Sequence, residues 1–239
     1  MDNLYEHNSF RIWAFLSVDE IELCKEYIKG HIKVLTDYGI TNITSNNDLW
    51  VNNPNMYCVV LMDPMTNEML GGIRVQVSDE TFPLPVESAI GKMDNKIYSI
   101  VKLYRLHGGV GELCGLWNSK KIAGYGTSIL LIRSGISITE QLKIKTLIGI
   151  CAQYSLKMFQ NVGFVIDKDL GNRGDFPYPN ETYTANVVGI LNSETLNTAN
   201  PLDKSRIFSI RNEPCQTCIE TGPKGDIKIN YNLIIKYND

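Results

Sequence analysis

The sequence predicts an α/β fold in which helices flank a central sheet and a β-rich segment follows at the C-terminus. Three observations predict it. Two apolar runs, at residues 57–62 and 69–77, flank the turn-forming stretch Asp63-Pro64-Met65-Thr66-Asn67-Glu68 and read as a hairpin. From residue 110 to 166 the pattern is strand, glycine turn, helix, strand, helix, strand. Near the C-terminus Ile227, Ile229, Tyr231, Leu233 and Ile235 alternate with polar residues, the period of a strand with one apolar face. At 239 residues the chain is long enough for one large domain. We divide it into a core at 1–170 and an extension at 171–239 packed on that core, because no linker separates them.

Taken in order, residues 10–15 are apolar and aromatic and read as the first strand. Ser17-Val18-Asp19-Glu20 then has the form of a capping box. The helix it opens places Ile21, Cys24, Ile28, Ile32 and Leu35 at helical spacing and ends at Tyr38-Gly39. Residues 41–55 are rich in Asn and Ser and read as a loop, with a short helix around 48–51. After the hairpin, 86–93 reads as a short helix and 101–106 as either helix or strand. Gly108-Gly109 breaks the chain before a strand at 110–117. A long helix follows at 127–142, a strand at 145–151, a helix at 153–161 and a strand at 164–166. In the tail, 182–191 and 226–236 read as strands and 201–211 as a short helix.

Bulk properties narrow the function. A formal net charge of −3 argues against nucleic acid as a partner, because phosphate neutralisation needs a basic surface. No apolar run approaches the ~20 residues of a membrane span. The start, Met1-Asp2-Asn3-Leu4-Tyr5-Glu6, lacks a basic and then apolar segment, so we expect no signal peptide and a cytoplasmic protein. Most of the six cysteines lie in apolar runs and read as small buried hydrophobes. Cys215-Gln216-Thr217-Cys218 has zinc-like spacing but lacks two further ligands nearby, and His7, His31 and His107 are isolated. No metal is therefore expected. Phe176-Pro177-Tyr178-Pro179 reads as a rigid loop over one end of the sheet.

The most informative segment is Lys121-Ile122-Ala123-Gly124-Tyr125-Gly126-Thr127, which follows a strand and opens a helix. The first amides of a helix lack internal partners and sit at the positive end of its dipole. Glycines let the backbone approach an anion closely, so the turn is suited to a pyrophosphate, with Lys120 and Lys121 beside it. It is not a P-loop, since Gly-Lys-Thr is missing. A plain αβ turn that needs glycines only for geometry is the competing reading.

With its neighbours, this block resembles the GNAT acyltransferase superfamily. That family's Arg/Gln-x-x-Gly-x-Gly/Ala turn corresponds to 121–126, with Lys121 at the first position and both glycines matching. The family's closing Gly-Phe corresponds to Gly163-Phe164. The resemblance spans 110–166, and the hairpin and first helix fit the family's N-terminal half in order. It implies a mixed, mostly antiparallel sheet and a phosphopantetheine thioester as donor, acetyl-CoA or a longer acyl-CoA. A second resemblance, carried by Gly71-Gly72-Ile73-Arg74-Val75 and Gly111-Glu112-Leu113-Cys114, is to acyl-homoserine-lactone synthases and N-acyl amino acid synthases. It implies a substrate-binding role for Arg74, a catalytic role for Glu112, and acyl carrier protein as an alternative donor. The Arg that usually stands three residues after that Glu is Gly115 here.

The resemblance implies roles for individual residues. An attacking amine must lose a proton, and Glu112, in an apolar strand, is the candidate base. The strand end at Cys114, Leu116 and Trp117 lies against the pantetheine, with a backbone N–H near Leu116 or Trp117 facing the oxyanion. Lys121, Ile122, Ala123, Gly124, Tyr125, Gly126 and Thr127 hold the pyrophosphate. The Tyr that usually protonates the leaving thiolate is Phe159, and an Asn that contacts the cofactor is Ala152. Ser155 and Tyr154 are the candidate replacements. The expected activity is acyl transfer to a small-molecule amine in a ternary complex. The alternatives are a carrier-protein-dependent N-acyl amino acid or lactone synthase, and a non-catalytic thioester-binding module.

Overall fold

A computed structural model describes residues 8–40 and 48–236. The N-terminal residues considered for a signal peptide and part of the polar loop, 41–47, lie outside them. Ten strands form one sheet, in the order β6-β8-β5-β4-β3-β2-β1-β10-β9, with β7 paired to β8. They are β1 (Ser9–Leu16), β2 (Met56–Met62), β3 (Met69–Val77), β4 (Val110–Asn118), β5 (Thr146–Ala152), β6 (Val165–Ile166), β7 (Asp175–Pro177), β8 (Thr184–Ile190), β9 (Thr217–Gly222) and β10 (Gly225–Asn232). The helices are α1 (Ile21–Asp37), α2 (Pro85–Ile90), α3 (Lys96–Leu106), α4 (Thr127–Ser137), α5 (Leu156–Asn161) and α6 (Pro201–Asn212). The pairs β1–β10 and β4–β5 are parallel and the other pairs antiparallel, so the sheet is mixed and mostly antiparallel.

The period of two along each strand sorts side chains between the faces. On one face Tyr57, Val59 and Leu61 of β2, Ile73 and Val75 of β3 and Leu113 of β4 join a core with residues of α4, α5 and α6. On the other, Cys58, Val60 and Met62 pack beneath α1, and Val110, Ile148 and Val187 beneath α2 and α3. Covered on both faces, β2 is buried along its whole length, which explains its unbroken apolar sequence.

Several local expectations give way to tertiary contacts. Ser17 does not cap α1, because its hydroxyl donates to the carbonyl of Asn53, 3.0 Å away, and residues 17–19 form a 3-10 turn. The buried stripe of α1 is Cys24, Tyr27 and His31, while Ile32 is 39% exposed. The stripe is rotated because Gly30 brings the helix against the Trp117 ring, where a Cβ would lie 2.2 Å from the ring. α4 stops at Ser137 rather than Leu142. The hydroxyls of Ser134, Ser137 and Thr139 donate to carbonyls of its last turns, and Lys143 takes a positive φ of 53°. The helix expected over 153–161 is a 3-10 turn, Gln153–Ser155, followed by α5. The 101–106 segment is helical, within α3. The final strand ends at Asn232, and Cys218 lies on a strand that the sequence reading did not find, β9. Phe176 is part of β7 and of the core under α2 and α3. Among the described residues no helix is long and apolar enough to cross a membrane, and no cluster of three metal-ligating side chains forms.

Candidate active site

The site is built on an irregularity in β4. Arg74 of β3 pairs with Cys114 and Gly72 with Trp117, so three steps along β4 match two along β3. The extra residue sits at Gly115, whose φ is +66°. This is a β-bulge, and the left-handed conformation favours glycine. Space demands it too, because a Cβ there would lie 2.9 Å from Arg74 Nε and 3.0 Å from Tyr27 Oη. The bulge carbonyl accepts a hydrogen bond from the buried Tyr27 hydroxyl of α1. Alternation is reset across it. Leu113 and Leu116 both pack on the α4 side, and the Trp117 ring meets α1.

The parallel pairing of β4 with β5 runs only from Val110↔Thr146 to Glu112↔Ile148. Beyond Glu112 the two strands have no further register among the described residues. The sheet therefore opens at the bulge, between the end of β4 and the end of β5. Gly149 keeps β5 close at the apex, where a Cβ would meet the Leu113 carbonyl at 2.9 Å.

Glu112 sits at the last paired position and is 3% exposed. Its Oε2 accepts from the Val86 N–H of α2, at 2.6 Å. Burial pushes its carboxyl up to about 8, against the opposing pull of that hydrogen bond and of the Arg74 charge. Arg74 is 1% exposed and lies over the Trp50 ring, 4.2 Å from its centroid, with the Tyr27 ring at 5.6 Å. Burial raises the Cys114 thiol to about 12, and burial together with the Arg74 charge lowers His31 to about 4. Cys114 is therefore a thiol and His31 a neutral ring at neutral pH.

From the end of β4 the chain passes through a 3-10 turn, Lys120–Ile122, into α4. Gly124 and Gly126 have φ values of +89° and +74°. The amides of Lys121, Ile122, Ala123 and Tyr125 are used within the turn, on Ser119 Oγ and on the carbonyls of Ser119, Lys120 and Ile122. Those of Gly124, Gly126, Thr127 and Ser128 have no acceptor among the described residues. They form a concave set of donors at the positive end of an 11-residue helix. Asn118 braces the helix start by donating to Ser128 Oγ at 2.6 Å.

The remaining sequence candidates are placed less centrally. Tyr154 is 86% exposed on the turn after β5. The Ser155 hydroxyl donates back to the Ala152 carbonyl at 2.9 Å. Among the described residues neither bonds to Glu112. Phe159 is a core residue, edge-on to Phe164 at 5.3 Å. Lys121 forms an ion pair with Glu68 at 2.6 Å and Lys120 with Asp37 at 2.9 Å. Tyr27 escaped the sequence reading, although a Tyr on the apolar side of the first helix was a visible signal.

No protein-family model matches the chain, and no curated protein matches it. Solved structures do. FeeM, an N-acyl amino acid synthase from uncultured soil microbes, superposes with a TM-score of 0.60 at 12% identity, covering 83% of this chain and 98% of that one. BjaI, a CoA-dependent acyl-homoserine lactone synthase solved with SAM and isopentyl-CoA, gives 0.54 at 10% identity, covering 87% and 90%. An acyl-CoA N-acyltransferase from Pseudomonas aeruginosa gives 0.52 at 11% identity, covering 76% and 99%. With its bulged and parted β4 and the glycine turn that follows, the chain has the fold of the GNAT acyltransferases.

Proposed function

We propose that this protein is an N-acyltransferase that moves an acyl group from acetyl-CoA or a longer acyl-CoA to a small-molecule amine. One observation carries the reading. The sheet parts immediately after a buried carboxyl and next to a set of unused helix-terminal amides. A pantetheine arm suits the opening, and its pyrophosphate the amides of Gly124, Gly126, Thr127 and Ser128. Residues 1–170 supply this machinery. The segment 171–239 belongs to the same unit, since β8 pairs with β5 and β10 with β1.

In the reaction the neutral amine attacks the thioester carbonyl and forms the C–N bond. Glu112, ionised, takes the amine proton, directly or through a water. The oxyanion that develops accepts from the N–H of Leu116 or Trp117, next to the bulge. Collapse breaks the C–S bond, and the thiolate leaves as such or takes a proton from solvent or Ser155. Holding both substrates at the opening makes attack effectively intramolecular. Arg74, deep beside Glu112, recognises an acidic group on the acceptor, which makes amino acids the first acceptors to try.

Thiol release from acetyl-CoA and from longer acyl-CoAs, measured against a panel of amines and amino acids, tests the proposal. Turnover that Glu112→Gln removes supports it. Turnover unaffected by that change sinks the base assignment, and absence of turnover with acyl-CoA binding intact assigns a thioester-binding module. Acyl carrier protein as donor is the second reading, implied by the resemblance of residues 71–75 and 111–114 to the lactone synthase and N-acyl amino acid synthase branch, and the same assay with an acylated carrier protein decides it.

A further inference from the structure

We propose that Lys224, at the tip of the β9–β10 hairpin, is a ligand for the donor's phosphates, so that the C-terminal segment completes the donor site. The inference rests on the acyl-CoA reading above. Amide dipoles alone match little of the charge on a pyrophosphate, and such sites usually add a full cation. The two lysines next to the turn in sequence already face carboxylates. Lys121 Nζ lies 2.6 and 2.7 Å from the Glu68 oxygens, and Lys120 Nζ lies 2.9 Å from Asp37. The cation that the fold brings to the turn comes from about 100 residues further along the chain.

The contact between hairpin and turn is close and built from backbone. The Lys224 N–H donates to the Gly124 carbonyl at 3.0 Å. The Lys224 stem crosses Gly124, where a Cβ would lie 2.9 Å from its Cε. Gly222 fits against Tyr125, where a Cβ would lie 2.4 Å from the Tyr125 carbonyl oxygen. The ammonium ends 5.7 Å from the centroid of the Tyr125 ring, and no carboxylate lies within ion-pair distance of it among the described residues. The neighbouring acids are engaged elsewhere. Asp226 accepts from the Thr221 hydroxyl at 2.7 Å, and Glu220 from Arg133 at 3.2 Å. The hairpin is no loose arm, because β10 pairs with β1 over five registered positions. Gly124 therefore has two roles. Its left-handed backbone shapes the nest, and its missing side chain admits the lysine that lies across it. A stem fixed by packing with its charge in water is how a lysine commonly sits. Here the stem lies across Gly124 and the charge lies over the ring of Tyr125, the residue between the two glycines.

Calorimetric titration of the full chain with CoA and, separately, with inorganic pyrophosphate tests this. The wild type is compared with Lys224→Ala and Lys224→Arg. We expect Lys224→Ala to weaken CoA about tenfold and to flatten the salt dependence, and Lys224→Arg to restore most of the affinity. CoA binding unchanged in Lys224→Ala overturns the proposal. If the wild type binds pyrophosphate through Lys224 but does not bind CoA, the anion site stands and the acyl-CoA reading falls. If it binds neither probe, both fall.

Discussion

Two buried arginines lie on opposite faces of the sheet, and they keep different company. Arg133 of α4 is held by carboxylates on both sides, Asp203 of α6 at 2.6 Å and Glu220 of β9 at 3.2 Å. Both acids come from the C-terminal segment, so the cluster rivets that segment to the core. Arg74 of β3 lies against aromatic rings and thiols, beside a carboxyl that burial has lifted to about 8. A charge neutralised in place stabilises one geometry. A charge packed against ring faces, next to a buried carboxyl, is the setting in which we propose acceptor recognition. On the proposed function, the company each one keeps separates a structural from a chemical use of the same side chain.

The sharpest way to break this contrast is Glu112→Gln. It should lower kcat by about 10²–10⁴, the range of a lost general base. In the wild type the rate should climb with pH through about 8, because only the ionised carboxyl accepts a proton and the fraction ionised grows as pH rises. The glutamine variant should lose that limb, and a pH–rate profile that keeps it rules Glu112 out. Next in size is Arg133→Met, which strands two buried carboxylates and should cost about 3–5 kcal/mol in urea unfolding. Removing all three charges together, with Asp203→Asn and Glu220→Gln, should recover most of that loss. If the single and triple variants unfold alike, the rivet is not electrostatic. The smallest effect is expected for Arg74→Lys. It keeps the charge but loses the planar stacking, so KM for the acceptor should rise about tenfold with kcat little changed. A large stability loss there, without a KM change, would make Arg74 structural like its counterpart.

Much of the fold was legible because it is local. The apolar runs at 57–62 and 69–77 around a turn-forming stretch pointed to the hairpin, and the glycines at 124 and 126 to the turn before α4. Sequence could not show which hydroxyl would find a more distant acceptor. Ser17 reads as a cap on spacing alone, yet bonds across 36 residues to Asn53. Nor could it show the partners of Arg133, which lie 70 and 87 positions away. Gly115 is the most instructive misreading. As a letter it was an arginine lost from a motif, whereas in three dimensions it is the residue that turns the backbone. The Cys215–Cys218 pair looked like a ligand motif because spacing carries no direction. Cys218 stands on an edge strand near Glu220, and Cys215 lies beside Asn232.

The bulge gives β4 two phases within one strand. Residues 110–114 keep one parity and residues 116–118 the other, with Gly115 absorbing the half-period between them. The two stretches can therefore be re-sequenced independently, provided the glycine stays. Straightening the backbone there, with the residue count unchanged, would do more than remove a kink. It would invert everything downstream, swinging Trp117 out of its notch at Gly30, driving Leu116 toward α1, and re-aiming the chain where it enters the glycine turn. One atomless side chain thus sets the phase of the strand on which the candidate site is built.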